Sequence, residues 1–226
     1  GLDDDPRVTY LHTPHQLFYK KIYEALLRVE TEFVIDAPDD DIVFSEALIE
    51  ASSFLLENKE YSFCNARWNG DLKGNPVADR IREQAFISAS PIERIRVGTS
   101  RGCWIAPNHS VIRTSVMRNI FKFTLDNPMT QAARQFDKSF LFLLLCYGNP
   151  KLLDCQLGYR RPNNVNIIGN LSIPVPECLA RSKSWATLKT EWSRIEPFSR
   201  FLQSHGYKKE FSDTFVSEIF QSGKHF

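Results

Sequence analysis

Three carboxylates stand side by side in this chain, Asp39, Asp40 and Asp41, a few residues after an apolar run, Phe33-Val34-Ile35. Adjacent carboxylates repel one another, so in a dry site the cluster is costly unless a cation neutralises it. A hard divalent ion with oxygen ligands would do so, keeping some waters and taking further ligands from a phosphate. Asp39 and Asp41, with one residue between them, could both reach one ion or one diphosphate–metal unit. The same residues also suit a solvated acidic turn that caps the next helix, because Asp is favoured at turns and N-caps. Two other groups carry chemistry on paper. Arg160 and Arg161 follow a β-prone stretch and could clamp phosphate in bidentate fashion. His109, a lone histidine, could bind an acceptor or a metal, or be purely structural.

These residues need elements to hold them. Residues 8–11, VTYL, are short and β-prone. From His15 to Val29, Leu17, Phe18, Ile22, Ala25, Leu26 and Val29 recur at helical spacing, with Lys20, Lys21, Glu24 and Arg28 on the other face. A buried strand then leads into the acidic turn, and a second helix is predicted over about 45–58. Tyr61 to Ala66 reads as a strand. The order β-α-β-α-β with short links favours a parallel α/β sheet, whose ligands sit beyond the carboxyl ends of the strands. The acidic turn falls at such an end.

Further along, a helix is expected over 77–86, and a basic loop or turn over 92–98 with Arg94 and Arg96. Strands are expected at 101–106 and, continuing the sheet, 109–113. Thr114 to Thr124 reads as a helix capped by Thr114 or Ser115, and 129–147 as one with a buried second half. A strand follows at 152–159, then an Asn-rich loop at 163–171. The tail differs in character. Trp185, Leu188, Trp192, Ile195, Phe198 and Leu202 lie at helical spacing up to Gly206, and Ser212 to Ser222 forms another helix. The spacing predicts a helical appendage with a core stripe, although the two tryptophans could instead form an acceptor platform.

Composition narrows the classes. A chain of 226 residues fits one large domain or two small ones, and 42% hydrophobic residues suffice for a core. A net charge of +1 gives no field that would favour nucleic acid or an anionic membrane. The five cysteines, 64, 103, 146, 155 and 178, include no CxxC pair. They fit neither a zinc site nor a disulfide framework, and suggest free thiols in a reducing, cytoplasmic setting. The longest apolar run, Phe140 to Tyr147, falls far short of the roughly 20 residues of a membrane span. The start, GLDDDPRV, has no apolar signal-peptide core and no initiating Met, so the chain is expected to be processed, trimmed or a fragment.

An ordered set of segments then resembles a known family. It runs from Phe18-Tyr19-Lys20-Lys21 through Leu27-Arg28-Val29 and Thr31-Glu32-Phe33-Val34 to Asp39-Asp40-Asp41. Tyr61-Ser62-Phe63-Cys64, Val111-Ile112-Arg113-Thr114, Phe136-Asp137-Lys138-Ser139-Phe140 and Tyr159-Arg160 follow in order. Together they resemble a GT-A glycosyltransferase of the bacterial family 2-like set, over roughly residues 8 to 175. The resemblance implies an α/β fold with a mixed, mostly parallel sheet flanked by helices, in a domain over 1–176, and a C-terminal helical extension over 177–226. It implies transfer of a sugar from a nucleotide-diphosphate donor to a hydroxyl on a glycan or other acceptor, in polysaccharide assembly, with Mn²⁺ or Mg²⁺ as cofactor. Asp39 and Asp41 would hold the metal. Lys21, Asp39, Asp40, Arg160 and Arg161 would bind the donor, and Asp137 would be the catalytic base. No nucleic acid is implied, and peripheral membrane association stays open.

The chain departs from that pattern in two places. The family's first strand–helix–strand unit, which binds the nucleotide base, has no counterpart here, and Asp137 is followed by Lys138 rather than a second acid. Two other readings therefore stand beside the transferase: a non-catalytic interaction module of the same fold, and a metal-dependent phosphotransferase or hydrolase in which Asp36, just after the strand, is the nucleophile.

Overall fold

A computed structural model describes residues 5–13, 16–37, 41–69, 88, 90–99, 109–127, 133–159 and 188–222. Five strands form one sheet: β1 (Phe33–Val34), β2 (Ile42–Val43), β3 (Tyr61–Asn69), β4 (Val111–Arg113) and β5 (Asn149–Tyr159). Their spatial order is β1-β4-β3-β5-β2. Helices flank them: α1 (Phe18–Leu26), α2 (Ser45–Glu57), α3 (Pro91–Thr99), α4 (Thr114–Asp126), α5 (Ala133–Tyr147), α6 (Leu188–Ser204) and α7 (Lys209–Ser222).

The sheet is mixed, and the expectation of a mostly parallel one is corrected. Only β3 and β5 pair in parallel, whereas β1–β4, β3–β4 and β2–β5 are antiparallel. The physical reason is length. The antiparallel members β2 and β4 span two and three residues, too few to show the alternation from which a strand is recognised. Residues 8–11 add no strand, and 92–98 are helical, within α3, rather than a loop. The expected helix over 77–86, strand over 101–106 and loop over 163–171 lie outside the described residues.

Alternation along β3 gives the sheet two buried faces. Phe63 joins Ile112, Phe121, Phe142 and Leu144 on one side. Cys64 and Ala66 face the other, under Ala47, Ala51 and Leu55 of α2. The C-terminal helices share the first core, since Phe198, Leu202 and Phe215 belong to it and Phe142 stacks edge-on against Phe198 at 5.0 Å. Phe198 and Leu202 thus realise the predicted core stripe. Trp185 and the boundary near residue 177 lie outside the described residues. Gly206 ends the α6 hairpin with φ of +90°, as a left-handed helix stop requires.

Three arginines tie the amino end of the sheet to backbone carbonyls. Arg113 donates to Tyr61 O at 2.9 Å and Asn58 O at 3.1 Å. Arg118 donates to Leu26 O at 2.8 Å and to Val29 O, fixing α1 on α4. Arg94 is 5% exposed and donates to Leu145 O at 2.8 Å, at the C-terminus of α5, and to Ser88 O. Burial lowers its pKa, yet its site is a helix C-terminus, where the macrodipole favours a cation. Beside it, Gly148 lets β5 leave α5: a Cβ there would lie 2.8 Å from both Glu60 O and Ser62 N.

Candidate functional site

Strand direction locates the other end of the sheet. β1 and β3 are each antiparallel to β4, and β5 is parallel to β3, so β1, β3 and β5 run the same way. Their carboxyl ends share one edge. Ile42, the first residue of β2, pairs with Tyr159, the last of β5. The end of β1 and the start of β2 therefore lie at the same end of the sheet but on its opposite edges. Asp36 follows β1 by two residues, and Asp41 immediately precedes β2.

The pairing register supplies the detail. Val34, Ile112 and Phe63 form one row across β1, β4 and β3. All three pack in the same core. Continuing the strands by two residues keeps side chains on the same face. Two residues beyond that row along the chain stand Asp36, Ser110 and Asn65. An apolar layer thus gives way to a polar one at the carboxyl end. Asn65 is 3% exposed, and its Oδ1 accepts from Ala66 N at 2.8 Å. Ser110 is fully buried, and its hydroxyl has no hydrogen-bond partner among the described residues.

His109 immediately precedes Ser110. Its Nδ1 lies 2.9 Å from the Asp36 carbonyl oxygen. A carbonyl only accepts, so Nδ1 carries the proton and donates. In the neutral ring the basic nitrogen is then Nε2. Its backbone holds φ of +71°, the one positive value at a non-glycine residue among those described. That conformation costs on the order of 1–3 kcal/mol and persists where surroundings impose it. Burial raises the pKa of the Asp36 carboxyl, and the nearby His109 charge offsets part of that rise.

Of the residues singled out in the sequence, Lys21 lies half-buried on α1. Asp41 is half-buried at the start of β2. Asp137 lies on α5, near its N-terminus. Ser62 Oγ donates to Leu144 O at 3.1 Å, which sets that turn of α5 level with the start of β3. Going back from Leu144 to Asp137 along the helix covers about 10 Å, and Ser62 to Asn65 along the strand also covers about 10 Å. Asp137 thus lies about as far along α5 from that bond as Asn65 lies along β3. Asp39, Asp40, Arg160 and Arg161 lie outside the described residues.

The donor set for a metal is in part visible. Asp41 carries a carboxylate, the type of hard oxygen donor a divalent ion takes. Among the described residues no group of three or more His, Cys, Asp or Glu side chains converges, and Asp39, the expected second ligand, is not among those residues. Cys64 and Cys146 are buried free thiols, and Cys155 is a half-buried one. Burial pushes the Cys146 thiol far up, so it is inert as a nucleophile or ligand. No helix among the described residues is long and apolar enough to cross a membrane.

Sequence reasoning named Asp36 and His109 singly but did not join them, and it missed Ser110 and Asn65. The signal was present as polar residues two positions beyond apolar ones, Val34 to Asp36, Phe63 to Asn65 and, on β4 in reverse, Ile112 to Ser110. In a comparison with known proteins, the chain matches no family model and no curated protein.

Proposed function

We propose that this chain is a metal-dependent glycosyltransferase domain that moves a sugar from a nucleotide-diphosphate donor to a hydroxyl acceptor. One observation carries the reading: Asp36 and Asp41, the described flanks of the acidic turn, lie at the end of the sheet where β1, β3 and β5 have their carboxyl ends. In α/β sheets that end is where ligands bind. Asp41 and Asp39 would hold Mn²⁺ or Mg²⁺, and when bound the ion would neutralise charge developing on the leaving diphosphate. Lys21, Asp40, Arg160 and Arg161 are the proposed donor contacts. The resemblance alone gives Asp137 the role of base. A cytoplasmic setting and a role in polysaccharide assembly belong to the same proposal.

A second reading draws on Asp36 itself. A carboxylate just past a strand end, beside a histidine, suits a phosphotransferase or hydrolase with an aspartyl nucleophile. No ordered set of segments like the one behind the transferase reading supports this one, so the transferase reading is preferred. The products separate the two. Incubation with UDP-sugars and GDP-sugars in Mn²⁺ releases nucleoside diphosphate under the first reading. Release of inorganic phosphate from phosphomonoesters, with nucleotide-sugars untouched, would favour the second.

A further inference from the structure

We propose that His109, oriented by Asp36, is the catalytic base of this site, the group that takes the proton from the attacking hydroxyl. The inference rests on the transferase reading above and goes beyond it, because the resemblance assigns that role to Asp137.

Four observations converge on His109. Its Nδ1–H is committed to the Asp36 carbonyl at 2.9 Å, so the ring is held in the tautomer whose Nε2 is basic. The Asp36 carboxyl group interacts electrostatically with the same ring and would stabilise an imidazolium once formed. The left-handed backbone at φ +71° is uncommon for a non-glycine residue and fixes the direction in which this side chain leaves the chain. The next residue, Ser110, holds a fully buried hydroxyl without a partner among the described residues. A buried polar group of that kind calls for an explanation, and a ligand or water at this end of the sheet would supply one. A base whose neighbours fix its tautomer and meet its charge is the arrangement that general-base catalysis by histidine requires.

The step balances without further reagents. The acceptor oxygen forms a bond to the anomeric carbon of the donor while the bond from that carbon to the diphosphate oxygen breaks. The diphosphate leaves with the electron pair. The hydroxyl proton passes to Nε2, giving an imidazolium beside Asp36, and is later lost to solvent. With water as acceptor, the same step is slow hydrolysis of the donor, which can be followed before the natural acceptor is known.

The test uses His109→Asn. Asparagine tolerates a positive φ, and its side-chain amide can still donate to the Asp36 carbonyl, so the variant keeps the fold and removes only the base. UDP and GDP binding in Mn²⁺ should stay within about threefold of wild type, while hydrolysis of UDP-glucose or GDP-mannose falls by at least about 100-fold. Retained hydrolysis in His109→Asn, with loss in Asp137→Asn, would overturn the assignment and return the role to Asp137. Wild-type protein that is folded yet binds neither nucleotide would overturn the transferase reading, and the role with it. Where hydrolysis is too slow to follow, ¹⁵N NMR of the histidine ring decides: a proton on Nδ1 in the neutral form supports the role, and a proton on Nε2 excludes it.

Discussion

The two ends of the sheet differ in how their polar groups are held. At the amino end Arg113, Arg118 and Arg94 each donate to backbone carbonyls, and Gly148 lets two strands meet without a side chain between them. At the carboxyl end a raised carboxyl at Asp36, an unpartnered hydroxyl at Ser110 and a left-handed His109 lie together. Each end also holds one buried hydroxyl without a partner among the described residues, Thr114 at the first and Ser110 at the second, and the second end adds a positive φ and a carboxyl raised by burial. An unpaired buried donor or acceptor costs about 1–3 kcal/mol. Such costs are tolerated where activity depends on them, and substitutions there tend to raise stability while lowering function.

Substitutions at the two ends should therefore move stability in opposite directions. The largest loss is expected at Gly148→Ala, because a Cβ at 2.8 Å from two backbone atoms must push the starts of β3 and β5 apart. We expect a loss of about 3 kcal/mol or more. It should appear as a lower urea midpoint, and an unchanged midpoint would mean that the two strands do not meet as described. Arg94→Met should cost about 3 kcal/mol, since it strands carbonyls at the end of α5 that are closed to water. The same titration measures it, with an unchanged m-value marking a pure stability effect.

Smaller effects of the other sign are expected at the carboxyl end. Ser110→Ala removes a buried hydroxyl that has no partner among the described residues, and should be neutral or stabilise by up to about 1 kcal/mol. A clear loss in thermal melting would show that the hydroxyl is already paired in the folded state. Asp36→Asn should act through pH. The unfolded carboxyl releases its proton near the ordinary value of 3.8, and the folded one holds it to higher pH. Between those two values the folded state binds more protons, so wild-type stability falls as pH rises through that window and stays lower above it. The variant should melt higher than wild type near neutral pH, and the gain should vanish at pH values below the ordinary carboxyl range. A constant difference at all pH values would contradict the burial of this group.

Much of the architecture could be read from spacing. The helical periodicities of α1, α2, α4, α5 and α6, and the runs of β3 and β5, are long enough for period and punctuation to show. The strands that decide the topology are not. Val111–Arg113 lies within the strand expected over 109–113, whereas Ile42–Val43 is so short that only its neighbours define it, and the antiparallel direction of both turned an expected parallel sheet into a mixed one. The cap of α4 was also misread: Arg113 occupies the N-cap with no side-chain cap bond, and Thr114 N instead donates to Glu32 O at 2.9 Å. The acidic turn was visible because like charges in a row are conspicuous in any sequence. The polar set of Asp36, Ser110 and Asn65 was not, because it comes from three separate strands whose alignment is a property of the register alone. His109 carries no sequence mark of its left-handed backbone.

The measurement that tests the account most directly is calorimetric titration of UDP and GDP into the folded protein, with and without Mn²⁺, for wild type and Asp41→Ala. The account predicts binding that depends on Mn²⁺ and is lost in the variant, with folding unchanged. Binding that is equal with and without the metal, or undiminished in Asp41→Ala, would contradict a metal-assisted donor site at the carboxyl end of the sheet.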